Sequence, residues 1–292
     1  MTDDSAVLDR SNFVDTAKCP VCGNMSKIVL ELPTIHPRSK ERFNLRQCLV
    51  CNHWWIDPMP DQKTLNQLYA SDSEFVVSSV ARFRLDKPSP LSVIKTASPM
   101  LRDMQERESF NYLEIGSASG IFVRLFGAFA KESFGVETIH MDNVTNVVSE
   151  ISQLPEGLKF DCIYMQDVLE HIAYPLETLK ALRAKANSGA LLYAGFPRGD
   201  SMKARIQKGK WSMMGPVGHL HYFSADSIEI GFRKSGWKVV EKTPVRLGNQ
   251  TALEVIKNFP YRDKNLIYRL FKSLALGQLI LGKDQWKVKA SA

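Results

Sequence analysis

From residue 110 the chain alternates short apolar runs with longer stretches in which apolar positions recur at helical spacing. Tyr112–Ile115, Phe134–Val136, Phe160–Met165 and Ala190–Phe196 read as strands, and Ile121–Ala130 and Pro175–Ala186 read as helices. This alternation predicts an α/β architecture, a doubly wound and mostly parallel sheet. Further on, the pattern predicts a helix at 225–234, a strand at Trp237–Glu241, a helix near 263–276 and a last strand at Trp286–Lys289. Gly236 falls where a helix C-cap is expected. Before residue 110 the pattern is weaker. Residues 1–17 form a polar leader, 18–57 carry two cysteine pairs, and Asp57-Pro58-Met59-Pro60 makes a joint. Residues 61–70 predict a short helix with Leu65, Leu68 and Tyr69 on one face. Residues 71–98, broken up by Pro88 and Pro90 and closed by Pro99, read as a linker. The expected organisation is a small lobe over 1–60, a helical connector over 61–105 and a large domain over 106–292.

Composition sharpens this picture only modestly. The chain has 292 residues, 44% hydrophobic and 24% charged, which suits one or two globular domains and excludes a long disordered chain. Its formal net charge of +7 permits weak attraction to phosphates without being a nucleic-acid signature. Met1 to Lys18 has no apolar core of a secretory signal. Leu274–Leu281 is far shorter than the about 20 residues of a membrane span. A soluble, cytoplasmic protein is therefore expected.

Five cysteines are too few for a disulfide scaffold, and four of them form two C-x-x-C pairs. Cys19-Pro-Val-Cys22 and Cys48-Leu-Val-Cys51 are separated by 25 residues. Each pair can wrap one face of an ion, and two such knuckles supply the four sulfurs that zinc prefers. Gly23 and Asn52 stand in the same turn position after each pair. A closed four-sulfur site is structural, so Zn2+ is expected at Cys19, Cys22, Cys48 and Cys51. His36 and His53 read as a loop and a rim residue, Trp54-Trp55 as core of the lobe, and Cys162 as an inert core thiol.

Leu113-Glu114-Ile115-Gly116-Ser117-Ala118-Ser119-Gly120 ends one strand and opens a helix. Gly116 allows a tight turn, and Ala118 and Gly120 let a ligand approach the backbone. Glu137 follows Gly116 by 21 residues, at the end of the next strand, the place from which a carboxylate accepts hydrogen bonds from ribose hydroxyls. Glu114-x-Gly116-x-Ala118-x-Gly120, Phe134-Gly135-Val136-Glu137 and the run from Phe160 through Gln166-Asp167-Val168-Leu169-Glu170-His171 resemble the successive motifs of class I S-adenosylmethionine-dependent methyltransferases. Ser188-Gly189-Ala190-Leu191-Leu192 resembles the turn and fifth strand of that Rossmann-like fold. The cysteine ribbon, followed by Pro58, Pro60 and Leu68-Tyr69, is similar to the zinc-binding leader of a bacterial branch whose members often modify sugars and other small metabolites.

The resemblance implies roles for particular residues. Gly116, Ala118 and Gly120 would line the methionine and ribose part of S-adenosylmethionine, and Glu114 would face its amino group. Glu137 would hold the ribose hydroxyls, Gln166 and Asp167 would border the sulfonium, and Glu150 and Ile151 would touch the adenine. Two departures stand out. Ala118 replaces a glycine, and only 12 residues separate Glu137 from Glu150, where the family fits a helix and a strand. That helix is expected to be shortened or lost.

Methyl transfer from a sulfonium is an in-line displacement with a neutral leaving group. The protein must align the reactants and remove a proton from a hydroxyl acceptor. Histidine suits proton removal. His171 follows the fourth strand, and His219 and His221 lie in Gly218-His219-Leu220-His221-Tyr222-Phe223-Ser224 after the fifth; these three are the candidate bases. Ser224 reads as an N-cap with Asp226 and Ser227 in the first turn. Arg198, Lys203, Arg205, Lys208 and Lys210 form either a diphosphate-binding lid or a solvated helix face. The expected reaction is methylation of a small-molecule acceptor, such as a hydroxyl of a phosphorylated or nucleotide-linked sugar. The alternatives are an RNA methyltransferase that grips RNA with the zinc lobe, and a non-catalytic S-adenosylmethionine-binding protein. Gln166-Asp167-Val168-Leu169-Glu170 differs from the Pro-Pro-aromatic pattern used on base amino groups, and no aromatic-interleaved basic stripe is present; both count against a nucleic-acid partner.

Overall fold

In the computed structural model, which describes residues 10–32, 42–69, 89–139, 144–215, 218–245 and 283–292, two sheets share a continuous core. The expected helix near 263–276, the short apolar stretch Leu274–Leu281, and His36 and His140 lie outside the described residues.

The N-terminal lobe holds β1 (Phe13–Val14), β2 (Ser26–Leu32), β3 (Phe43–Cys48), β4 (Trp54–Asp57) and β5 (Met59–Pro60). Strands β2, β3 and β4 pair antiparallel, and β1 pairs with β5. Helix α1 (Gln62–Leu68) starts at Asp61, whose carboxylate accepts the Thr64 amide at 2.7 Å. An ion pair joins two of the lobe's strands: Arg46 Nε on β3 is 2.6 Å from Asp57 Oδ2 on β4, and Asp57 Oδ1 also accepts the Thr16 amide.

The next element corrects the linker expectation. Pro90–Met104 forms α2, a helix of 15 residues. Ser89 caps it by accepting the Ser92 amide at 3.2 Å, and Pro90 occupies the first turn, where a missing N–H costs nothing. Pro90 is thus a helix start, and Pro99 sits inside the helix. Ala97, Met100 and Met104 are buried on one face against Phe110, Tyr112, Phe126 and Cys162.

The large sheet follows: β6 (Asn111–Ile115), α3 (Ile121–Phe126), β7 (Glu132–Val136), β8 (Val147–Val148), β9 (Phe160–Gln166), α4 (Pro175–Ala184), β10 (Ala186–Pro197), α5 (Met202–Gln207), β11 (His221–Tyr222), α6 (Ala225–Lys234), β12 (Lys238–Val245) and β13 (Gln285–Ser291). The strand order is β12-β13-β10-β9-β6-β7-β8. From β10 to β8 every pairing is parallel, whereas β13 runs antiparallel to both β10 and β12. The central strand β9 is buried along nearly its whole length, as a strand covered on both faces must be, and its centre, Cys162-Ile163-Tyr164-Met165, is apolar or aromatic. Between β7 and β8 no helix occurs among the described residues.

β11 belongs to the other sheet. It pairs antiparallel with β4, His221 opposite Trp55 and Tyr222 opposite Trp54, and completes the lobe in the order β11-β4-β3-β2. Ser224 caps α6 in a reciprocal box with Ser227, and its hydroxyl also donates to the Cys51 carbonyl. Gly236 closes α6 with φ +82°.

Candidate active site

The loop after β6 is shaped by three left-handed residues, Gly116 (φ 71°), Ala118 (φ 43°) and Gly120 (φ 64°). At Gly116 a Cβ would lie 2.4 Å from Val168 Cγ2, so only glycine lets the β9 segment approach. The Gly116 amide donates to the Val136 carbonyl at 2.8 Å, which ties the loop to the end of β7. One residue on, Glu137 Oε2 accepts the Ala118 amide at 2.7 Å and Oε1 accepts the Ile139 amide at 3.0 Å. The carboxylate is therefore fixed over the loop with a lone pair to spare on each oxygen.

Glu114 points into the same region from inside the sheet. It is buried, and its Oε2 has no hydrogen-bond partner. Burial pushes its carboxyl up to about 8; the charge on Glu137 adds to this, while a hydrogen bond from the Val123 backbone opposes it. A buried carboxylate with one oxygen unpartnered, beside a left-handed glycine loop, fits a ligand carrying an ammonium group.

Gln166 and Asp167 end β9 at the mouth. Asp167 takes φ 53°, donates its amide to the Gly195 carbonyl at 2.9 Å and accepts from Gln285 Nε2 at 2.8 Å. Sequence reasoning missed Gln285, because nothing local places β13 beside β9's end. Glu150 and Ile151 begin a short turn just past β8. Glu150 is exposed, and its carboxylate accepts the Ser152 hydroxyl at 3.2 Å.

The three candidate bases separate. His171 and His219 come together, with ring centroids 4.7 Å apart. His171 Nδ1 is 2.6 Å from the Gly218 carbonyl and 3.1 Å from the Tyr69 hydroxyl, and His219 Nδ1 is 2.7 Å from the Met213 carbonyl. Burial holds both imidazoles below the ordinary histidine range, so both are neutral near pH 7. Glu170 is wholly buried beside them. His221, by contrast, is a correction: it is fully buried in the seam between the sheets. Its Nε2 faces the Ala173 carbonyl at 3.3 Å and its Nδ1 faces His53 Nε2 at 3.1 Å. It is out of reach of any acceptor. His53 is likewise fully buried rather than on a rim, stacked 6.0 Å from Trp55.

Two of the five basic residues are engaged in structure. Lys203 is buried and pairs with Asp284 at 2.8 Å, and Arg198 pairs with Asp200 at 2.9 Å while lying over the Trp286 ring. Arg205, Lys208 and Lys210 remain exposed.

The four paired cysteines converge. Cys19 and Cys51 sulfurs are 3.6 Å apart, Cys22 and Cys48 sulfurs 3.3 Å, and all four lie within 4.8 Å of one another. The Cys22, Val50 and Cys51 amides and the Asn24 side chain point at these sulfurs at 3.3–3.5 Å. Gly23 (φ 82°) and Asn52 (φ 55°) make the matching left-handed turns.

A seven-stranded parallel-type sheet closed by one antiparallel strand, with a glycine loop and a carboxylate at successive strand ends, defines a Rossmann-like S-adenosylmethionine-dependent methyltransferase. Residues 69–242 match the methyltransferase domain family, and the chain belongs to that family. Among solved structures, it is similar to 1,6-didemethyltoxoflavin-N1-methyltransferase of Burkholderia thailandensis (13% identity, 88% of this chain and 97% of that one, TM-score 0.52). It is also similar to magnesium protoporphyrin IX methyltransferase of Synechocystis PCC 6803 (11% identity, 79% and 99%, TM-score 0.48). A third similar structure is a Haloferax volcanii methyltransferase in complex with the Trm112 activator (16% identity, 68% and 89%, TM-score 0.47). A comparison with curated protein sequences gives no match. Among the described residues no helix is long and apolar enough to cross a membrane.

Proposed function

We propose that this enzyme transfers a methyl group from S-adenosylmethionine to an oxygen of a small-molecule acceptor, a sugar, nucleotide-linked sugar or related metabolite. Glu114 Oε2 carries the reading, because it is a buried carboxylate oxygen with no hydrogen-bond partner. Glu114 meets the cofactor's ammonium, and the backbone from Gly116 through Ala118 to Gly120 lies along its methionine and ribose. Glu137 takes the ribose hydroxyls on its remaining lone pairs. Gln166 and Asp167 border the sulfonium, and Glu150 and Ile151 form the adenine edge. The bound cofactor supplies an electrophilic methyl group. Handling of the acceptor hydroxyl falls to His171 and His219, the two histidines at the mouth. The four cysteines hold one structural zinc.

The ion pairs of Arg198 and Lys203 favour a small acceptor over RNA, since they withdraw two cations from the basic segment. Labelled cofactor offered to sugar nucleotides and to total RNA should label the former; label in RNA alone would refute this acceptor class. Glu137→Ala should weaken cofactor binding by about 1–3 kcal/mol, roughly 5- to 150-fold in Kd, as read by calorimetry. An unchanged Kd would remove Glu137 from the ribose.

A further inference from the structure

Glu170 is a carboxylate with nothing to do. Both its oxygens are buried without a hydrogen-bond partner, and among the described residues no lysine or arginine pairs with it. A group like this is rare, because burying an unpaired carboxylate is costly. Its neighbours are two imidazoles. His171 is next in the chain, in the same 3-10 turn Leu169–His171. His219 is brought alongside because the Leu220 amide donates to the Glu170 carbonyl at 2.7 Å.

The hydrogen bonds fix the tautomers. Carbonyl oxygens only accept, so the Nδ1 atoms that face Gly218 and Met213 must carry the protons. The lone pairs of both rings are therefore on Nε2. This is how metal-bound histidines are held, with the second nitrogen anchored to a carbonyl. His171 Nε2 is 3.9 Å from Glu170 Oε1, and ligand atoms from Glu170, His171 and His219 lie within 4.8 Å of one another.

From this geometry we infer that Glu170, His171 and His219 bind a divalent transition-metal ion at the mouth of the cleft, a site distinct from the four-cysteine cluster. Two imidazole nitrogens and one carboxylate oxygen suit zinc, cobalt or manganese. An ion about 2.0–2.2 Å from each ligand would draw the three side chains closer together by roughly an ångström. Three protein ligands leave a coordination position open, and the His171 side chain is 27% exposed, so the site is reachable from solvent. Resting on the methyltransferase reading, that open position is where an acceptor hydroxyl would bind. Coordination lowers the hydroxyl's pKa, its proton leaves to solvent, and the oxygen then bonds to the methyl carbon as the carbon–sulfur bond breaks. His171 and His219 would then act as ligands rather than as free bases.

The test is a metal count on the full chain. Protein holding one zinc per chain is dialysed against Mn2+, Co2+ or Zn2+ in turn, and total metal is read by mass spectrometry. One further equivalent is expected with at least one of the three ions. Glu170→Gln and His219→Ala should each weaken that second equivalent tenfold or more and leave the first in place. No second equivalent with any of the three ions overturns the site, as does unchanged binding in both variants. Calorimetry with S-adenosylmethionine on the same samples separates the two claims: metal without cofactor binding keeps this site and discards the methyltransferase reading, and the converse discards this site alone.

Discussion

Replacing Cys48 with serine is expected to release zinc and unfold residues 10–60. Metal binding to a four-sulfur site can contribute about 10–16 kcal/mol, and in a lobe this small that energy is folding energy. The lobe's remaining apolar support is shared with segments far along the chain: Phe13, Leu32, Phe43, Leu45, Trp54 and Ile56 pack with Trp211 and Tyr222, and Cys48 and Cys51 are themselves fully buried with Val21, Trp55 and Met59. The loss should not stay local. β4 would release β11, and the Cys51 carbonyl would release Ser224 at the start of α6. His219 lies two residues before His221 in that segment, so methyl transfer should collapse although the knuckles are far from the glycine loop in sequence. Metal analysis together with the emission of Trp54 and Trp55 reads the event. A variant that keeps one zinc per chain and an unshifted thermal midpoint would refute the structural role.

Glu114→Gln should stabilise the cofactor-free protein at pH 8 while abolishing tight cofactor binding. The ordinary glutamate pKa is 4.5 and burial raises it to about 8 in the folded chain. Between these values the native state holds a proton that the unfolded state has lost, so this carboxyl makes stability fall as pH rises from about 4.5 to about 8. Below 4.5 both states are protonated, and above 8 the full penalty is in place. The raised pKa corresponds to several kcal/mol, about 1.4 per unit. Glutamine keeps the shape and cannot ionise. Urea unfolding of both proteins from pH 5 to pH 9 should show the variant's advantage growing to about pH 8 and then levelling. A constant difference across that range would show that Glu114 is not the titrating group. With cofactor added, the wild type should recover stability that the variant does not, because only a carboxylate answers an ammonium.

The parts of this molecule legible in the sequence are those set by local pattern. The strands β6, β7 and β9 are short and mostly apolar, interrupted by Glu114, Ser133 and Asp161, and their succession with α3 and α4 dictates the parallel sheet. The Ser224 capping box and the turns at Gly23 and Asn52 follow from residue chemistry at fixed offsets. The linker reading over 71–98 fails from residue 90 because Pro90 was weighed as a breaker, whereas after a capping serine it opens a helix. What local pattern does not carry is pairing at a distance. Lys203 lies in a segment that reads either as a diphosphate-binding lid or as a solvated helix face, and it is buried against Asp284, 81 residues away. His221 reads as a twin of His219, but β11 begins only at His221, and pairing β11 with β4 buries His221 against His53 while His219 stays outside the strand. Glu170 shows in the sequence as part of a motif; that its oxygens lack a partner among the described residues is visible only in three dimensions.

The two-residue strand β11 makes the lobe and the catalytic domain inseparable in inheritance. A module joined only through its end can be exchanged among enzymes by recombination at the joint. Here the tail of the lobe's sheet is encoded 160 residues downstream, inside the segment that carries His219. A transplanted leader would arrive without its last strand, and the donor left behind would expose an unpaired edge and two bare histidines. Natural variation in acceptor choice should therefore change the leader and the His219 segment in concert.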